Sequence, residues 1–187
     1  MRDVLKTERL VLRQIENSDA ESFAELANDR DIARMTGSFP YPFPRLSVEF
    51  KVMYLRAQKR RGIGNAYAVT EIGQDKLIGV ADLFRADTAQ PWELGYWIGR
   101  PYWGKGYITE ACAVLLAELE TQHGPQRVAA GVFTDNPGSQ RVLEKLGFQK
   151  DGATDMFFSM ARLKKAPSHN YIRSAKTSVL AKSDMDA

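Results

Sequence analysis

The chain has 187 residues, of which 44% are hydrophobic and 26% charged, an ordinary balance for one globular domain with a sizeable core. No apolar run approaches the ~18 residues of a membrane-spanning helix, Met1–Glu8 holds no apolar stretch of signal-peptide length, and the single Cys112 has no internal disulfide partner, so a cytoplasmic protein without membrane contact is expected. The net charge of +3 is local: six bases and two acids fall in Arg162–Ala187, leaving −1 on the rest, which argues against a nucleic-acid-binding body and for a basic, flexible tail.

Leu5–Arg13 reads as a first strand, with Leu10 and Leu12 on one face and Arg9, Val11 and Arg13 on the other. Ser18, with Glu21 three residues on, reads as the cap of a helix whose apolar stripe is Phe23, Leu26 and Ala27. The segment Phe39-Pro40-Tyr41-Pro42-Phe43-Pro44 must be an extended loop, either packed on the core or walling a substrate site. Ser47–Arg61 reads as a second helix, with Val48, Met53, Tyr54 and Leu55 as its apolar positions and Gly62 as its stop. Two strands, Asn65–Glu71 and Lys76–Phe84, flank a turn at Gly73-Gln74-Asp75. Pro91–Ile98 is the next strand. Tyr107–Gln122 is a helix, because Ile108, Ala111, Cys112, Leu115, Leu116 and Leu119 follow its period. Arg127–Thr134 is a strand. Asn136 caps, and Pro137 opens, a short helix that buries Val142, Leu143 and Leu146 and ends at Gly147. Met156–Leu163 is the last expected strand. Antiparallel strands followed by a βαβα unit define an α/β (α+β) fold with a mixed sheet.

One stretch concentrates the chemistry: Trp92–Ile98 as a strand, then Gly99–Gly106, then the start of the helix at Tyr107. The first turn of a helix leaves N–H groups without partners and carries a positive dipole end, so it attracts anions. Gly104 and Gly106 let the backbone approach a ligand closely, and Lys105 adds a cation. Gly99–Lys105 matches the start of a nucleotide-binding P-loop, but Gly106 stands where Ser or Thr would hold Mg²⁺, and no G-x-G-x-x-G occurs. His123 and His169 have no partners at metal or triad spacing, so no metal site is expected. Cys112, on the apolar helix face, reads as core.

Glu93-Leu94-Gly95-Tyr96-Trp97-Ile98 with Tyr102-Trp103-Gly104-Lys105-Gly106-Tyr107-Ile108-Thr109-Glu110-Ala111 resembles the acetyl-CoA motif of the GNAT N-acetyltransferases. Within that superfamily the chain is most similar to the ribosomal-protein N-terminal acetyltransferase (RimJ/RimL-like) group. Asn136-Pro137-Gly138-Ser139 through Leu146-Gly147-Phe148, and Thr7-Glu8-Arg9-Leu10-Val11-Leu12-Arg13 at the start, carry the same resemblance in the expected order. It implies a single GNAT-type domain over 1–165, with a central twisted, mostly antiparallel sheet flanked by helices, and 166–187 as tail. Acetyl-CoA is the implied co-substrate. Ile98 and Arg100 match the backbone positions that pair with the pantetheine arm where the strand splays from its neighbour. Trp103, Gly104, Lys105, Gly106, Tyr107 and Thr109 would hold the pyrophosphate. Pro101 replaces the usual Gln or Arg, and its missing N–H removes one contact.

The implied reaction moves acetyl directly from the thioester to a neutral amine, which requires a proton acceptor. Glu93 matches the group's acidic position, with Asp135 and Asp82 as weaker alternatives. Many GNAT enzymes protonate the departing thiolate with a Tyr early in the second motif's helix. None occurs between Tyr107 and Tyr171, and Ser139 occupies the position of a Ser in RimL-like enzymes. Asn136 is expected to be both helix cap and ligand contact. The acceptor, a protein N-terminus or a small-molecule amine, is left open, as is monomer against homodimer. A non-catalytic acyl-CoA sensor is the competing reading.

Overall fold

The computed structural model describes residues 1–174. Among these residues, eight strands form one sheet and five α-helices cover its faces. In chain order these are β1 (Val4–Lys6), β2 (Leu10–Gln14), α1 (Ala20–Ala27), α2 (Arg30–Met35), α3 (Arg45–Arg60), β3 (Gly64–Glu71), β4 (Gly79–Phe84), β5 (Trp92–Ile98), α4 (Tyr107–His123), β6 (Val128–Phe133), α5 (Pro137–Lys145), β7 (Gln149–Ser159) and β8 (Lys164–Arg173). The sheet order is β1-β2-β3-β4-β5-β6-β8-β7, antiparallel throughout except for the parallel β5–β6 contact. Among the described residues no helix is long and apolar enough to cross a membrane.

Two cores lie on opposite faces. One packs α4 on the sheet through Ile108, Cys112, Leu115 and Leu119 against Leu12, Val69, Leu94 and Val128. The other packs α1 to α3 through Phe23, Ile32, Val48, Val52 and Leu55 against Ala66, Val80 and Trp97. Side chains alternate along a strand, so β5 sends Trp92, Leu94, Tyr96 and Ile98 to the α4 side and Trp97, with Gly95 and Glu93, to the α1–α3 side.

Several expectations are corrected. The first strand is two, β1 and β2, paired antiparallel. Ser18 is not a cap: a 3-10 turn at Asn17–Asp19 precedes α1, and the capping box is made by Glu16 and Asp19. The additional helix α2 is capped by Asp29, which accepts from the amides of Asp31 and Ile32. On α3 the buried stripe is Val48, Val52, Leu55 and Gln58, while Met53 and Tyr54 are exposed. The proline loop packs on the core through Phe39 and Phe43, whose rings surround Phe23 and Trp97, and leaves Tyr41 exposed. The expected boundary at 165 falls inside a strand. Residues 166–173, assigned to the flexible tail, belong to β8 (Lys164–Arg173), an interior strand between β6 and β7. Pro167 is tolerated there because its backbone turns toward the end of β6, where its carbonyl accepts from Thr134 (3.0 Å). The rest of the expected tail, from 175, lies outside the described residues.

Candidate active site

The parallel pairing of β5 with β6 is confined to Trp92–Val128 and Glu93–Ala129. Beyond it the two strands part. Gly99 N–H donates to the Ile78 carbonyl (2.9 Å) in the antiparallel register with β4. Odd-numbered backbone groups of β5 therefore turn to β4. The even-numbered groups of Tyr96 and Ile98 face the gap where no strand pairs. Such an edge can take the amides of an extended ligand.

Past the gap, Arg100–Tyr102 forms one 3-10 turn with Pro101 inside it. Pro suits the start of a helical turn, where an N–H has no partner in any case, so Pro101 costs the loop little. Gly104 (φ +75°) and Gly106 (φ +76°) then reverse the chain into α4. Gly106 is the N-cap and supplies no side-chain acceptor, so side chains leave the first-turn amides of α4 open. The loop is held from below. Glu110 accepts from Thr7 Oγ1 (2.5 Å) and from Arg9 Nε (2.8 Å), and Arg9 Nη1 donates to the Lys105 carbonyl (3.0 Å). The Arg9 guanidinium also lies over the Tyr107 ring at 4.7 Å. Open amides, a dipole end, two positive-φ glycines and the cations Arg9 and Lys105 fit a pyrophosphate.

Other expected contacts are spent within the protein. Arg100 pairs with Asp29 (2.7 Å) and Asp31 (2.6 Å) on α2 and stacks on Trp103. Trp103 Nε1 donates to the Ile98 carbonyl (2.8 Å), one of the two groups assigned to the pantetheine arm. Tyr107 Oη donates to Glu71. Thr109 stands in the first turn of α4, half-buried.

Across the gap, Asn136 Oδ1 accepts from the Ser139 amide (3.0 Å), as expected of the cap of α5. The Ser139 hydroxyl lies 2.7 Å from Tyr96 Oη, which also donates to the Ser139 carbonyl (3.2 Å). Tyr96 is the functional candidate that sequence reasoning missed. It stands inside a quoted motif, but the contact joins residues 43 apart in the chain. Burial raises the Tyr96 phenol pKa and keeps it protonated.

The other face of the gap is acidic. Glu93 is exposed at the rim, yet the surrounding protein removes enough water to raise its carboxyl pKa. Asp82, opposite Gly95 in the β4–β5 register, is half-buried, and burial lifts it to about 7. Asp135 is committed elsewhere: Arg162 and Arg34 bind it at 2.8 and 2.7 Å and hold its carboxyl below the usual range. Cys112 is buried in the core, where burial raises its thiol pKa. The gap thus joins a side with open amides and hydroxyls to a carboxylate-bearing side.

A sheet split beside a glycine-bounded helix start defines a class, and the family comparison agrees. Residues 9–149 match the acetyltransferase (GNAT) domain, and the chain belongs to that family. The uncharacterised N-acetyltransferase YoaA of Bacillus subtilis is 33% identical over 80% of this chain and 84% of its own. The alanine N-acetyltransferase of ribosomal protein uS5 from Escherichia coli is 25% identical over 79% of each chain. RimL, an acetyltransferase of ribosomal L7/L12 solved with coenzyme A, shares the fold at a TM-score of 0.79 and 17% identity, over 92% of this chain and 98% of its own. The chain is accordingly an acetyl-CoA-dependent N-acetyltransferase.

Proposed function

We propose that the protein acetylates the α-amine of a protein or peptide N-terminus, with Glu93 and Ser139 as catalytic residues. The observation that carries the catalytic assignment is the gap between β5 and β6, which has the Ser139–Tyr96 hydroxyl pair on one side and Glu93 on the other. Bound acetyl-CoA would supply the acetyl thioester. Its pyrophosphate would rest on the amides of Gly104 to Tyr107, the Trp103 amide being held by the Arg100 carbonyl (3.1 Å), and on Thr109, with Arg9 and Lys105 as counter-charges. Asn136 would flank the arm, and the Tyr96 backbone and the Ile98 amide would pair with it, the Ile98 carbonyl being taken by Trp103. Arg100 contributes only through its backbone, its side chain being held by α2.

On the acceptor side Glu93 takes a proton from the ammonium, and the neutral amine attacks the thioester carbonyl. On the donor side Ser139, polarised by Tyr96, hands a proton to the departing thiolate. Names of relatives support a protein acceptor, since two act on ribosomal-protein N-termini. Exposed apolar side chains support it too. Phe50 and Leu46 lie on α3, and Phe157 on the β7–β8 hairpin, where the Met160 amide donates to the Gly37 carbonyl (3.0 Å). Patches of this kind suit a macromolecular partner. A ribosomal acceptor would place the reaction in the cytoplasm.

The test is the pH profile of Glu93→Gln. The base works only when ionised, so wild-type kcat/KM should rise with pH through a carboxyl raised above the ordinary Glu range. The variant should lose about a hundredfold in kcat and that limb of the profile, with acetyl-CoA affinity retained. An unchanged profile would assign the proton to another group.

A further inference from the structure

We propose that α2 ties together the free ends of β5 and β6, and that Asp135, Arg34 and Arg162 at one end of this tie are positioning residues that act through Ser139. The inference rests on the catalytic reading of Ser139.

β5 and β6 pair no further than Glu93–Ala129, so beyond it their C-terminal ends lack each other's support. The Tyr96–Ser139 pair crosses from β5 to α5 on the α4 face. α2 crosses on the opposite face, where Ile32 and Ala33 are buried in the α1–α3 core. Each end of α2 meets one strand end at the same offset. Its N-cap, Asp29, binds Arg100, two residues past Ile98 at the end of β5. Its last turn carries Arg34, which binds Asp135 (2.7 Å), two residues past Phe133 at the end of β6.

Exposed ion pairs contribute little unless they are bidentate or networked, and these are both. Arg100 grips Asp29 through Nε on Oδ2 (2.7 Å) and Nη2 on Oδ1 (2.9 Å), and Nη2 also reaches Asp31 (2.6 Å). Arg162, from the turn between β7 and β8, grips Asp135 through Nη2 on Oδ1 (2.8 Å) and Nη1 on Oδ2 (3.0 Å). Such planar forks fix direction as well as distance. Arg162 Nε also donates to the Arg34 carbonyl (3.0 Å), so one guanidinium holds both the end of α2 and the end of β6. That guanidinium lies over the Phe133 ring at 4.9 Å, and its side chain is only 15% exposed.

Asp135 is next in the chain to Asn136, whose Oδ1 accepts from the Ser139 amide (3.0 Å). A shift of Asp135 is therefore passed to the start of α5 and to the Ser139 hydroxyl. The phosphate loop has its own support in Arg9 and Glu110. Loosening the Asp135 end should thus slow turnover and spare coenzyme A affinity.

The test compares Asp135→Asn, Ser139→Ala and the double variant in acetylation of the tetrapeptide Ala-Gly-Gly-Gly at saturating acetyl-CoA across pH. Coenzyme A affinity, melting temperature and hydrogen exchange of the 134–146 segment are measured on the same full-length proteins. Asp135→Asn should lower kcat by up to about a hundredfold, the scale of a misplacement of about 1 Å, with coenzyme A affinity unchanged and faster exchange at the first turn of α5. It should cost little more in the Ser139→Ala background, because the two act as one unit. The pH limb assigned to Glu93 should stay in place, since the two guanidiniums hold the Asp135 carboxyl below its usual range. Arg34→Gln, which leaves the Arg162 fork intact, should show a smaller loss of the same kind and serves as the check should Asp135→Asn melt early. Wild-type kcat in both variants, an undiminished Asp135→Asn loss in the Ser139→Ala background, or a moved pH limb would each overturn the tie. If the wild type does not acetylate the tetrapeptide, the exchange measurement decides, and unaltered exchange in Asp135→Asn overturns it. A slow Ser139→Ala beside a fully active Asp135→Asn removes the tie and leaves the catalytic reading. A fully active Ser139→Ala removes that reading, and the role of Asp135 through Ser139 falls with it.

Discussion

The hydroxyl of Tyr96 carries more of the argument than its place in a motif suggests. Its bond to Ser139 crosses from β5 to α5 and fixes the Ser139 side chain at the gap. A lone serine near a helix start would do no more than cap it. Here Asn136 already caps α5, which frees the Ser139 hydroxyl for the gap. Tyr96→Phe should therefore lower kcat by up to about a hundredfold, the lower end of what a positioned proton donor contributes, with acetyl-CoA KM nearly unchanged. Ser139→Ala should do at least as much, and the double variant little more, because the two act as one unit. Steady-state kinetics on the three variants checks this, and additive losses would show two independent roles. That Ser139 and Glu93 stand at the gap was legible in the sequence because each falls within a motif. The Tyr96–Ser139 contact was not, because it joins residues brought near only by the fold.

At the scale of elements, α4 and its loop were legible and several neighbours were not. The period of Ile108, Ala111, Cys112, Leu115 and Leu119 has one helical solution, and all five are buried. On α3 apolar residues outnumber the buried positions. The true stripe, Val48, Val52 and Leu55, has helical spacing, but Met53 and Tyr54 obscured it. β8 was missed because of its composition: Lys164-Lys165-Ala166-Pro167-Ser168-His169-Asn170 reads as a polar tail, yet Ala166, Ser168 and Tyr171 are buried between two partners. The loop before α4 gives a test of its own. Gly106→Ala would place Cβ 3.7 Å from Arg9 Nη2, an ordinary contact, so the cost is backbone strain at φ +76°. That strain is about 1–2 kcal/mol. If the loop relaxes to avoid it, the α4 amides turn from the phosphates and coenzyme A affinity drops roughly tenfold. Calorimetry decides the point, and unaltered affinity would mean that the loop does not hold the pyrophosphate.

For the whole molecule, the split sheet is a device that only the complete strand order supports. β5 can leave β6 at Glu93 because β4 holds its other edge, while β6 is held by β8 from Val128–Arg173 to Phe133–Ser168. A chain ended after Lys165 should therefore lose its cooperative thermal transition rather than shed a dispensable tail, since β6 and β7 would both lose their partner. Circular dichroism melting tests this, and a native-like transition would return β8 to the periphery. The sheet split, the open amides of α4 and the two-sided chemistry of the gap meet in one central claim: acetyl passes through the sheet from coenzyme A to an amine on the Glu93 side. Mass spectrometry of a free N-terminal peptide incubated with the protein and acetyl-CoA, with released thiol counted in parallel, tests it most directly. The account predicts one acetyl group on the α-amine for each thiol released. Tight coenzyme A binding with no acetylated product from peptide or small amine would contradict it and make the protein an acyl-CoA sensor.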